Sequence, residues 1–103
     1  ADIYLEVPVT ITDAILGCKK EIPTLYGNII LEIKPGTQNY TKLKIKGKGI
    51  KLPNKIGKGD MYAVINIITP TKLDRKQKAL LQDLAKTDLE DASEFKNFKK
   101  YMK

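Results

Sequence analysis

From Ile3 onward an apolar residue stands at every second position (Ile3, Leu5, Val7, Val9, Ile11), with Tyr4, Glu6, Pro8, Thr10 and Thr12 between them. The two-residue period returns in later runs and gives way, after Pro70, to steps of three and four. A period of two sends alternate side chains to opposite faces of a strand, whereas a period near 3.6 lines them along one side of a helix. Strands therefore come first in this chain and helices last. At 103 residues the chain is one domain's worth of polypeptide, able to bury about two-thirds of its unfolded surface.

The pattern places six elements before Pro70. Pro8 cannot donate to a ladder, so the first strand is expected to have a free edge there. Thr12 to Gly17 reads as one helical turn, with Thr12 as N-cap, Ile15 and Leu16 inward and Gly17 in the left-handed C-terminal position. Cys18 to Thr24 and Ile29 to Lys34 are strand-like runs around a hairpin loop, Leu25-Tyr26-Gly27-Asn28, in which Gly27 takes positive φ. Pro35-Gly36 ends the second run in a turn, and Leu43 and Ile45 then alternate with Lys42, Lys44 and Lys46. From Asp60 to Thr69, Met61, Ala63, Ile65 and Ile67 face one way and Tyr62, Val64 and Ile68 the other, the mark of a strand covered on both faces. Beyond Pro70, Asp74 and Gln77 form a capping-box pattern ahead of Leu80, Leu81, Leu84 and Ala85. A second helix is predicted from Asp91 as cap and Glu94 at the matching offset, carrying Ala92, Phe95, Phe98, Tyr101 and Met102.

Composition excludes more than it selects. There is no histidine, which removes the commonest general base, the commonest metal ligand and every Ser-His or Cys-His nucleophile arrangement. The single cysteine, Cys18, can neither close an internal disulfide nor build a Cys-rich zinc site, and it suits a reducing compartment. It reads as a small buried residue, with a reactive thiol as the alternative. Neither enzymatic activity nor a cofactor is expected. The longest apolar runs are far shorter than the roughly 18 residues that a membrane span needs. Ala1 and Asp2 lead straight into the strand pattern without Met or a basic leader, so the chain is expected to be cut from something longer.

The ordered motifs DIYLEVPVTITDAILG, EIPTLYGNIILEIKPGTQ and KIKGKGIKLPNKIGKGDMYAVINIITPTKLDRKQKALLQDLA resemble, from about residue 2 to residue 86, the second C-terminal domain of DnaJ-type co-chaperones, the J-domain proteins. The resemblance rests on Ala14-x-x-Gly17, the Ile-Pro-Thr-Leu-x-Gly hairpin, the Pro-Gly-Thr-Gln turn, the Gly-Lys-Gly pair and the Gly-x-Gly-Asp lead into the last strand. Tyr26, Lys34 and Tyr40 depart from it, standing where the family usually has Asp, Pro and Gly. The resemblance implies a mainly β fold: a small two-sheet β-sandwich over residues 1–72, with one short helical turn, followed by a helical dimerisation segment over 73–103 with two C-terminal helices. It further implies a cytoplasmic homodimer that holds unfolded client polypeptides for a DnaK-type ATPase chaperone. The family's J-domain needs His-Pro-Asp and its zinc module needs repeated Cys-x-x-Cys. Neither is in this chain, which cannot alone stimulate the ATPase in the family's way or bind its zinc.

Two surfaces are implied. The apolar stripe of Leu89, Ala92, Phe95, Phe98, Tyr101 and Met102 belongs to a helix too short to persist alone in water. It has either its own domain or a twofold-related partner to dock on, and the resemblance implies the partner. By analogy with the preceding domain of the family, a client segment would add to an edge strand near Leu5, Val7, Lys20 and Ile22, although Leu5 and Val7 sit in a row that also reads as ordinary core. A basic alternative comes from Thr41 to Gly59, which holds seven lysines and no acid; Lys42, Lys44, Lys46 and Lys48 are expected on one strand face. Nonspecific nucleic-acid binding through residues 42 to 58 would use such a face. Within that run no aromatic interleaves to stack on bases and no Arg is present to read guanine, so specific nucleic-acid binding is not expected, and a solvated edge that resists aggregation is the preferred account of the lysines.

The glycine pairs Gly47/Gly49 and Gly57/Gly59 fit neither the dinucleotide nor the P-loop template, and loop freedom explains them. Asp88, Glu90, Asp91 and Glu94 lack the spacing and glycine of a calcium loop.

Overall fold

The computed structural model describes residues 1–51 and 59–103. It divides into two compact units, Ala1–Thr69 and Pro70–Lys103. The first is built from β1 (Ile3–Val9), α1 (Ile11–Leu16), β2 (Cys18–Ile22), β3 (Ile29–Ile33), β4 (Lys42–Ile45) and β5 (Met61–Ile67), and the second from α2 (Arg75–Ala85) and α3 (Ser93–Lys99).

The strands form two small sheets. In the larger, β5 lies between β1, with which it runs parallel, and β4, with which it is antiparallel. β2 and β3 make the smaller, antiparallel sheet. Val7, Val9, Met61, Ala63 and Ile65 from the first sheet and Ile22, Leu31 and Ile33 from the second meet in one core with Ala14 of α1. β1 is an edge strand, as Pro8 required. The inward residues of β5 are buried, while Tyr62, Val64 and Asn66 on its other face are half-buried beside Tyr4 and Glu6 of β1 and the lysines of β4.

α1 corrects the sequence reading in phase. Its N-cap is Thr10, two residues before Thr12: the Thr10 hydroxyl accepts from Asp13 N (3.0 Å) and the Asp13 carboxylate accepts from Thr10 N (3.1 Å). With six residues it presents one narrow side inward, Ile11 and Ala14, and leaves Ile15 and Leu16 exposed. Its last carbonyls are satisfied by the Pro35-Gly36 turn, where Gly36 N donates to Ala14 O (2.9 Å) and Ile15 O (3.1 Å), and Thr37 N to Ala14 O (3.1 Å). The approach is so close that a Cβ on Gly17, whose φ is +80°, would stand 2.9 Å from Ile33 O and 2.8 Å from Pro35 Cδ. β2 stops at Ile22, before Pro23, which has no N–H to continue the ladder. The lysine row also bends: Gly47 has φ +74° and its N donates to Asp60 Oδ1 (3.0 Å), taking Lys48 away from the face that Lys42 and Lys44 share. Of the two glycine pairs, Gly57 lies outside the described residues. Gly49 N donates to Gly59 O (2.8 Å), and a Cβ on Gly49 would stand 2.5 Å from Ala1 O, so close backbone contact explains Gly49, and positive φ explains Gly47.

In the second unit the Asp74/Gln77 capping box forms as expected, with Gln77 N to Asp74 Oδ1 at 2.7 Å and Asp74 N to Gln77 Oε1 at 2.9 Å. Asp91 does not cap α3. The N-cap is Ala92, which has no side-chain oxygen to offer, and Glu90 instead pairs with Lys99 (3.4 Å). Neither helix has a buried residue.

Candidate functional site

The first unit carries a shallow apolar depression of about 230 Å³. Ile3 and Leu5 enter from β1, Met61 from β5, and Pro23, Thr24 and Leu25 from the start of the β2–β3 turn. The turn is held by Thr24, whose N donates to Gly27 O (3.0 Å), whose hydroxyl donates to the same oxygen (2.6 Å), and whose Oγ1 accepts from Tyr26 N (3.0 Å). Tyr26 ties it to the segment after β4 through a bond from its hydroxyl to Gly49 O (2.7 Å), with the Lys48 ammonium 5.7 Å from the ring centre. The family departure at Tyr26 thus has a local role that an Asp could not fill.

The four residues expected to touch a client separate here. Leu5 is half-buried and forms part of the depression. Val7 and Ile22 are each 2% exposed and lie in the shared core, offering no surface in this conformation. Lys20 is half-buried on β2 opposite Leu31 and is not part of the depression's wall. Of the four, only Leu5 lies in the wall of the depression, whose other residues, Ile3, Met61 and the turn residues Pro23, Thr24 and Leu25, were not among those the sequence singled out. The signal for the turn residues was the Ile-Pro-Thr-Leu motif itself, which puts an exposed Leu directly after a strand stop.

In the second unit Leu89, Phe95, Phe98, Tyr101 and Met102 are all exposed, and so is Ala92 at the helix start. Leu80 and Leu84 of α2 are exposed as well.

Among the described residues, three groups have displaced acidities. Asp13 is held below its ordinary value by the Thr10 N–H and hydroxyl, and Asp60 by the Gly47 N–H, with Lys44 adding to it at 3.4 Å. Burial, reinforced by Asp13, pushes the Cys18 thiol up, which disfavours the thiolate that a reactive cysteine needs. Among the described residues no three of Cys, Asp and Glu converge to hold a metal ion, and no helix is long and apolar enough to cross a membrane.

Two small sheets around one core, followed by short helices, make this a mainly β domain of the kind found at the C-terminal end of DnaJ-type proteins. The chain belongs to the DnaJ C-terminal domain family, whose sequence model matches residues 1–70. It is 46% identical over 82 residues to the chaperone protein DnaJ of a Geobacillus species, covering 80% of this chain and 22% of that protein. Against the chaperone protein DnaJ of Geobacillus thermodenitrificans the identity is 41% over 105 residues, covering 99% of this chain and 28% of the relative. For Acholeplasma laidlawii it is 46% over 88 residues, 85% and 24%. The chain spans about a quarter of the length of the curated relatives it matches.

Proposed function

We propose that this domain is a noncatalytic arm of a cytoplasmic DnaJ-type co-chaperone, which holds unfolded polypeptide and joins a second copy of itself so that clients reach a DnaK-type ATPase. In this reading residues 1–72 are the client-facing β-sandwich and 73–103 the pairing segment. The observation that carries it is the uncovered apolar side of the second unit, where Phe95, Phe98, Tyr101 and Met102 are all exposed and nothing in α2 or α3 is buried. Exposed apolar patches of this kind mark interaction surfaces. The depression beside β1 supplies the other half, a shallow pocket next to a free strand edge where an extended segment can add and insert a side chain. Pairing the arms raises the effective concentration of such surfaces around one client.

Suppression of aggregation of a denatured model protein tests the client half. Leu25→Asp should abolish suppression and weaken binding of an unfolded peptide while leaving the melting temperature unchanged, because Leu25 is exposed at the rim. Full activity in that variant removes the depression from client binding. Deleting residues 91–103 should halve the particle mass, and a truncated chain that remains dimeric removes the tail from the interface.

A further inference from the structure

The outer face of the three-stranded sheet joins aromatic and basic side chains that the sequence keeps far apart. Tyr4 of β1, Tyr62 of β5 and Lys44 of β4 share one cross-strand row, and Glu6, Val64 and Lys42 share the next. The two tyrosine rings stack with centroids 5.1 Å apart and planes 17° from parallel, and the Lys42 ammonium lies 5.5 Å from the Tyr4 ring centre. Tyr4 ends the stack on the edge strand and is 61% exposed. Lys46 continues the basic row just beyond β4 and is also exposed. The three acids nearby are already engaged: Glu6 accepts from Asn66 Nδ2 (2.5 Å), Asp2 accepts from Asp60 N (2.8 Å), and Asp60 binds Lys44 and accepts from Gly47 N. The ground on which the sequence disfavoured a nucleic-acid surface, lysines without aromatics, therefore does not hold once the register is known.

We propose that this face binds single-stranded nucleic acid, with a base stacking on the Tyr4–Tyr62 pair and backbone phosphates meeting Lys42, Lys44 and Lys46. Lysines at every second position of a strand repeat about every 6.8 Å, a spacing that an extended phosphate backbone can follow. Stacking platforms beside basic rows are how sheet surfaces take single strands without reading sequence. A duplex hides its base faces and gains nothing from the tyrosines. A net charge of +7 favours approach of a polyanion.

The test is fluorescence anisotropy of the full chain against labelled oligothymidylate, in parallel with a duplex of equal length and with polyglutamate as competitor. The single strand should bind more tightly than the duplex, with a slope of log affinity against log salt of about −2 for three phosphates. Tyr4→Ser should weaken single-strand binding by about fivefold or more without changing that slope, and Tyr4→Phe should restore it. Lys42→Gln and Lys46→Gln should each reduce the slope by about 0.7. Because the chain has no Trp, quenching of its tyrosine emission on titration reads stacking in the unaltered protein. Equal affinity for duplex and single strand, an unaffected Tyr4→Ser variant, absence of quenching, or displacement by polyglutamate as effective as by unlabelled oligothymidylate would each overturn the proposal, the last in favour of an acidic polypeptide.

Discussion

Replacing Phe98 with Asp gives the sharpest test of pairing, because its size can be worked from the exposure of one ring. Full burial of a Phe side chain contributes about 1.5–3 kcal/mol. Phe98 is 64% exposed in the single chain, so covering what remains is worth about 1–2 kcal/mol per copy. A twofold interface uses each position twice, so the substitution removes about 2–4 kcal/mol before any cost of burying a carboxylate is added. At about 1.4 kcal/mol per factor of ten, the dimer dissociation constant should rise about 30- to 700-fold. Sedimentation velocity across a concentration series reads this as a rightward shift of the monomer–dimer midpoint. Phe98→Leu, which keeps most of the apolar area, should recover most of the affinity, and the melt of the β unit should not move in either variant, since no residue of α3 is buried. If Phe98→Asp leaves the mass curve where it was, or if the unaltered chain is monomeric at every concentration, the stripe does not serve pairing and the reasoning from its exposure fails.

Gly17→Ala should cost about 3 kcal/mol or more, since φ +80° and ψ 157° is a region that only glycine enters freely and the new Cβ meets the Ile33 carbonyl at 2.9 Å; a melting temperature within a few degrees of the parent's would contradict this. Tyr40 also has positive φ (64°) but is exposed, so Tyr40→Gly should relieve strain of about 1–2 kcal/mol against a smaller entropic loss, netting about 0.5–1 kcal/mol and a higher melting temperature. Thr10→Ala should remove the capping box at a cost of about 1 kcal/mol. Asp13 has a folded pKa below its ordinary 3.8, so its contribution is complete above that value and is lost as pH falls through the lowered one. Melts taken downward from about pH 5 should therefore show a shallower acid loss in Thr10→Ala than in the parent, and parallel curves would exclude the Thr10–Asp13 pair as a source of that loss.

What was legible in the chain was local. Period-two runs, the turn at Gly27 and the Asp74/Gln77 box depend on neighbours within a few residues, and each of these emerges in the structure. The readings that shifted depended on phase or on distant partners. Thr10 and Thr12 are equally good caps by composition, and what decides between them is which phase puts Ala14 against the core and its carbonyl against Gly36. Asp91 offered a better cap than Ala92 does, yet Ala92 takes the position and Lys99 engages Glu90 one residue earlier. Val7 shares its inward row with Ile3 and Leu5 of the depression, yet it and Ile22 are core, and alternation alone cannot tell a core position from one at a rim. The Tyr4–Tyr62 stack was invisible for a related reason: nothing in either strand announces that the first and last strands of the unit are parallel neighbours in matching register.

That pairing also decides when the depression exists. Ile3 and Leu5 reach it from β1 and Met61 from β5, and these two strands come from opposite ends of the β unit. Closing the longest loop in the unit is the entropically dearest step of its folding, so the wall of the depression is complete only when the whole core is. Core substitutions such as Ile65→Ala must then depress peptide binding in proportion to the unfolded fraction and no further. The tail obeys a different rule. Its helices bury nothing of their own, so they gain order from whatever covers them, and their stability should follow protein concentration instead of the melt of the sandwich. On the proposed function, two units with separate sources of order would allow the arm to hold one geometry for a client while its attachment to a second copy is tuned independently.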